Sequence, residues 1–135
     1  MSNIKWSFIV PLKSKSAVEQ FEATYPFSVP QELKQLIIEH NAGYPYPSSL
    51  DIEGLGKREI KQLLSYNPDD DETIYQVIDY FMKTFHRRVL PFAVDSFSGY
   101  YCIKDGRLVV YVDEADRILY PVAESITAFL NGLRS

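Results

Sequence analysis

The chain has 135 residues, 46 % of them hydrophobic, which is enough apolar material for one ordinary domain to build a core without disulfides or a structural metal. Its formal charge of −4 has the wrong sign for direct DNA or RNA binding, because neutralised phosphates supply most of that affinity. A single cysteine, Cys102, excludes an internal disulfide and a cysteine-based zinc framework. Met1–Trp6 does not begin like a secretory signal and no stretch approaches the roughly 20 apolar residues of a membrane span, so the expected location is the cytoplasm.

Ile4, Trp6, Phe8 and Val10 alternate with Lys5 and Ser7, which predicts an N-terminal strand half buried against the core and stopped by Pro11. Ser16-Ala17-Val18-Glu19 has the form of a capping box and predicts a short helix to about Thr24, with Val18, Phe21 and Tyr25 turned inward. Pro30 suits the first turn of a second helix that buries Leu33, Leu36 and Ile37, and Gly43 is the expected left-handed residue that ends it. Tyr44-Pro45-Tyr46-Pro47 cannot continue a helix and reads as an exposed connection.

Leu50–Ile52 is a weak strand signal before the loop Gly54-Leu55-Gly56, and Ile60, Leu63 and Leu64 are apolar at helical spacing. Asn67-Pro68-Asp69-Asp70-Asp71-Glu72 reads as a turn and a helix start, with the acids at the positive pole of the next helix. That helix carries Ile74, Ile78, Phe81, Met82 and Phe85 on one face, and His86-Arg87-Arg88 complements its negative pole.

In the last third, Leu90–Val94 is a strand that ends at Asp95, ahead of a polar loop. Lys104-Asp105-Gly106 and Asp113-Glu114-Ala115-Asp116 are tight turns, so Tyr100–Ile103, Leu108–Val112 and Arg117–Tyr120 should form an antiparallel meander. Ala123, Ile126, Phe129, Leu130 and Leu133 step by three and four, predicting a closing amphipathic helix. With no internal repeat and no long linker, the expectation is a single α+β domain over residues 1–135. It should hold an antiparallel or mixed sheet of about five strands, with helices packed mainly on one face.

Three stretches, taken in order, resemble the SUKH superfamily, which includes bacterial toxin-immunity proteins and yeast regulators of cell-wall assembly. Val29-Pro30-Gln31-Glu32-Leu33, running to Asn41-Ala42-Gly43, is similar to the family's Leu-Pro helix that ends in Asn-Gly-Gly. Leu90-Pro91-Phe92-Ala93 with Asp95 and Gly99 is similar to its Leu-Pro-apolar-Ala, Asp, Gly, strand signature. Val122-Ala123-Glu124-Ser125-Ile126 with Phe129-Leu130 is similar to its closing helix. The chain departs from the pattern at Ala42, where the family usually has a second Gly, and in the loop 95–99, which is poorer in glycine. The resemblance implies an α+β fold and a protein-binding role, and it allows strand pairing around Ile60–Leu64, which leaves that segment open between helix and strand.

Catalytic chemistry has no positive support in the residues. His40 and His86 are isolated near expected helix C-termini, where a histidine more often serves the helix pole than a metal. The acidic run 69–72 lacks the alternate spacing and central Gly of a calcium loop. Cys102 lies within a strand as a small hydrophobe, and Ser96 and Ser98 lack a Gly-x-Ser-x-Gly setting. No phosphate-binding glycine pattern occurs, so no cofactor, no metal and no enzymatic activity are expected.

What remains is surface. Asp69, Asp70, Asp71 and Glu72, together with Asp113, Glu114 and Asp116, are candidate contacts to a protein partner. As turn and cap residues they also have an ordinary structural use. Asp95 is a further candidate, with an Asx-type hydrogen bond that holds its own loop as the alternative. Through the resemblance, the expected function is an immunity protein that neutralises a cognate toxin domain with a basic surface, a nuclease being the natural target. The alternative is a non-catalytic regulatory or scaffold module. Neither reading involves direct nucleic-acid or membrane binding.

Overall fold

The computed structural model describes residues 3–85, 88–97 and 99–135, so His86, Arg87 and Ser98 lie outside the described residues. The chain begins with strand β1 (Lys5–Ser7), followed by helices α1 (Ala17–Thr24) and α2 (Gln31–His40). Strands β2 (Tyr44–Tyr46), β3 (Ser49–Ile52), β4 (Gly56–Glu59) and β5 (Gln62–Leu63) come next. A 3-10 turn (Ile74–Gln76) leads into α3 (Ile78–Phe85). Strands β6 (Val89–Val94), β7 (Gly99–Lys104), β8 (Leu108–Asp113) and β9 (Leu119–Ala123) and helix α4 (Ile126–Asn131) complete the chain.

The main sheet runs β5-β6-β7-β8-β9 with every pair antiparallel, while β1-β2 and β3-β4 form two small antiparallel ribbons. The α+β architecture and the five-stranded sheet agree with the sequence. Period-two alternation sorts β7 and β8 between two cores. Tyr101, Ile103, Val109 and Tyr111 face the larger core, built with Phe21 of α1, Leu33 and Ile37 of α2 and Phe129 of α4. Cys102, Val110 and Val112 face the smaller one, closed by Phe81 of α3. Three helices therefore cover one face and α3 the other. A fully buried ring such as Phe21 or Phe81 contributes about 1.5–3 kcal/mol over its exposed state.

Several local expectations are corrected. The N-terminal strand is only three residues long, because Phe8 takes a left-handed φ of 55° that ends the alternation, and Phe8, Ile9 and Val10 are exposed. Tyr44-Pro45-Tyr46 is not an exposed connection: it is β2, paired with β1, with Pro45 opposite Trp6. Helix α1 forms as expected, but Ser16 makes no cap to the backbone; its Oγ accepts instead from Gln20 Nε2 at 2.8 Å. Within Ile60–Leu64 the pair Gln62–Leu63 is strand rather than helix, since Leu63 pairs with Ala93 and its N–H donates to the Gly43 carbonyl at 3.0 Å.

The acids at 69–72 do not cap α3. Thr73 caps the 3-10 turn ahead of it, in a reciprocal box with Gln76. The last strand begins at Leu119 rather than at Arg117, because Arg117 adopts φ 58° and closes the turn by donating to the Asp113 carbonyl. The closing helix is shorter than its periodicity suggested, with Ala123 in β9 and Ser125 as its cap, accepting from the Ala128 N–H at 3.0 Å. Glu32 of α2 binds both the backbone N–H and the hydroxyl of Thr127, which fixes α4 to α2.

Candidate functional site

A buried polar network sets the geometry of the site. Asn41, at the end of α2, donates through Nδ2 to the Val10 carbonyl (2.8 Å) and to Ser65 Oγ (2.9 Å), and its Oδ1 accepts from the Tyr66 N–H (2.9 Å). Asn67 repeats the pattern one step along: its Nδ2 donates to the Pro11 carbonyl and to Asp70 Oδ2, and its Oδ1 accepts from the Lys13 N–H. The Ser65 hydroxyl donates to the same Asp70 oxygen. Asn41, Ser65 and Asn67 are almost fully buried, so each would cost free energy if its partners were removed. The network ties the irregular segment Val10–Lys13 to the acidic loop 67–72.

Between these two segments runs an open groove of about 550 Å3 lined by Phe8, Val10, Ala42, Tyr44, Gln62 and Asp69 to Glu72. On its apolar wall Phe8 is 80 % exposed and rests edge-on against the Tyr44 ring, with centroids 5.5 Å apart. A smaller recess of about 200 Å3 adjoins it and shares Glu72. Lys61, Asp95, Phe97, Tyr100 and Glu114 are among its lining residues. Phe97 is 89 % exposed. Burial pushes the Tyr100 phenol well above its ordinary value, and the Glu114 and Glu72 carboxylates raise it further. Two acids 42 positions apart in sequence thus act on one phenol.

The eight candidate acids therefore separate by role. Asp69 to Glu72 and Glu114 are brought to one continuous surface. Asp70 is largely occupied by Ser65 and Asn67, and Glu72 pairs with Lys61 at 3.4 Å, which leaves Asp69 and Asp71 exposed and, among the described residues, without an ion pair. Asp113 and Asp116 belong to the β8–β9 turn, where they accept from the N–H groups of Ala115 and Ile118, and Asp116 also accepts from the Tyr120 hydroxyl.

Asp95 is corrected from a surface contact to a loop clamp. It is buried, its Oδ1 accepts from the N–H groups of Phe97 (2.8 Å) and Gly99 (2.9 Å), and its Oδ2 accepts from the Tyr111 hydroxyl. The Asx-type alternative describes it. Phe8, Val10, Tyr44 and Phe97 escaped the sequence reading: alternation placed the first two in a strand, two prolines made Tyr44 look like a connection, and Phe97 stands in a serine-flanked loop.

Burial raises the Cys102 thiol far above its ordinary range, as for an inert core residue. His40 stacks on Trp6 with ring centroids 4.8 Å apart, and burial lowers its pKa from the ordinary value against a smaller opposing pull from Glu39. Among the described residues, no three His, Cys, Asp or Glu side chains gather so as to hold a metal ion. No described helix is long and apolar enough to cross a membrane.

The model of the SMI1 / KNR4 family (SUKH-1) matches residues 14–132, which spans α1 to the end of α4 and includes the acidic loop 69–72 of the groove and Glu114 of the adjoining recess. The chain belongs to the SMI1 / KNR4 family. No curated protein and no solved structure matches it significantly. In this SUKH-1 domain the matched region starts just after Lys13, so the exposed Phe8–Val10 wall is contributed by residues outside the family pattern. SUKH-1 domains mediate protein–protein interaction, which makes a protein the partner class that the family supports.

Proposed function

We propose that this SUKH-1 domain is an immunity protein that binds a toxin domain and covers its active site. The observation that supports the reading is the convergence of the 69–72 loop and Glu114 on one surface beside the exposed rings of Phe8 and Phe97. Exposed carboxylates accelerate encounter with a basic partner, and aromatic rings supply the desolvated anchors that dominate interface energy. A nuclease suits such a surface, because a cleft that binds phosphates must itself be basic.

Inhibition on this reading is occlusion and charge pairing. The domain contributes no bond-making step, acts as one unit over residues 1–135, and works in the cytoplasm, where the toxin would do its damage. The deciding experiment is co-expression with the toxin domain encoded beside the gene, following cell survival together with a pull-down. Survival with a stable complex is the expected result. Continued killing with no complex, both proteins being soluble, would overturn immunity and favour a regulatory or scaffold role.

A further inference from the structure

The groove between Phe8 and the acidic loop combines three properties. Its apolar wall is formed by Phe8, Val10 and Tyr44. Its opposite wall carries Asp69 and Asp71, exposed and unneutralised by any described cation, and no Lys or Arg is among the lining residues. Both walls are fastened by the same Asn41 and Asn67 side chains, so the groove exists before a partner arrives and little ordering cost remains to be met on binding.

We infer that this groove receives an arginine side chain presented by the protein partner. The inference deepens the proposed function by naming what the acidic surface recognises, and it rests on that reading only in taking the partner to be a protein. Two carboxylates alone would accept lysine equally well; the aromatic wall breaks the tie. A guanidinium is planar and weakly hydrated, so it can lie against a ring while its forked donors reach a carboxylate. An ammonium is a compact and strongly hydrated point charge, and it loses more of its hydration against Phe8. The groove also has room for apolar atoms flanking the arginine, which Val10 and Tyr44 would cover.

The test is a titration of the isotope-labelled protein with acetyl-Gly-Arg-Gly-amide, followed by amide chemical shifts, alongside the same peptide carrying lysine or citrulline. The arginine peptide should move the signals of Phe8, Tyr44 and Asp69–Glu72 with a dissociation constant in the millimolar range, as one anchor without its interface would give. The lysine peptide should bind several-fold more weakly, and citrulline, isosteric but uncharged, should leave the spectrum unchanged. The double variant Asp69→Asn with Asp71→Asn should lose the response by tenfold or more while the remaining signals stay in place.

An equal response to citrulline, a preference for lysine, shifts located away from the groove, or no response at all would overturn the assignment. The two proposals fail separately. A toxin complex formed by a protein that ignores the arginine peptide overturns the groove assignment alone, and peptide binding without protection of cells overturns immunity alone.

Discussion

The hydroxyl of Tyr111 on β8 occupies the position that a side chain at residue 99 would need. An ideal Cβ built on Gly99 overlaps the Tyr111 Oη and Cζ and lies 2.6 Å from Cε1. The same hydroxyl donates to Asp95, which in turn holds the Gly99 N–H, so three residues of the loop and the facing strand form one closed unit. Asp95 and Gly99 recur together in the family signature that the sequence resembles, and here they do so for a steric and a hydrogen-bonding reason.

Gly99→Ala should destabilise the fold by about 1–3 kcal/mol or more, because the phenol has to leave a packed interior. Tyr111→Phe should fail to rescue it, since the ring carbons overlap the added methyl as well as the oxygen does. Denaturant titration of the two single variants and the double variant measures both claims. Full rescue by phenylalanine would show that the oxygen alone sets the constraint.

Asp95→Ala should cost about 2–3 kcal/mol, because two backbone donors and one phenol lose a carboxylate acceptor in a buried site. Asp95→Asn should cost less, since its amide oxygen can keep both N–H groups while its NH2 donates to the Tyr111 oxygen. Thermal unfolding of the pair gives the ordering, and equal losses would remove the clamp as the explanation.

Adjacent residues at the end of α2 should respond in opposite directions. Ala42 sits at φ 64°, a strained position for any residue with a Cβ, so Ala42→Gly should stabilise by up to about 1 kcal/mol. Gly43 is the reverse case: a Cβ there would meet the His40 carbonyl oxygen at 2.8 Å and Trp6 Cε3 at 3.0 Å, so Gly43→Ala should lower the melting temperature. The expectation that Gly43 supplies the left-handed turn therefore moves one residue upstream, and the glycine is retained for close approach.

Burial lowers the pKa of His40 below 6.5, against a smaller opposing pull from Glu39. Between the folded value and 6.5 the unfolded chain binds more protons, so stability should rise with pH through that window and be lost as pH falls through it. Replacing His40 with Gln removes the titrating group and should flatten that part of the stability–pH profile. An unchanged slope below pH 6.5 would exclude His40 as its source.

Charge reversal of the exposed acids should act on encounter rather than on folding. Asp69→Lys with Asp71→Lys should leave the melting temperature almost unchanged, slow association with the proposed toxin partner by roughly tenfold at low salt, and weaken its salt dependence. Stopped-flow association at several ionic strengths reads this. Unchanged rates would place the two acids outside the interface.

The sequence by itself determined the elements whose cause is local. Asp105-Gly106 places positive φ at both turn residues between β7 and β8, and period-two runs at Tyr100–Ile103 and Leu108–Val112 set those strands. The three-and-four spacing of Leu33, Leu36 and Ile37 sets the buried face of α2. Sequence order also carried the family resemblance. Only the tertiary structure decided what depends on long-range partners. Gln62–Leu63, inside the ambiguous segment Ile60–Leu64, becomes a strand because β6 offers its edge and Gly43 an acceptor. Phe8 leaves its strand at a φ that no side-chain pattern announces, while Asn41 and Asn67 fasten the segment that follows it, Val10 to Lys13. The acidic surface likewise exists because folding brings Glu114 beside Glu72, a proximity that arises from strand pairing and that neighbours in sequence do not encode.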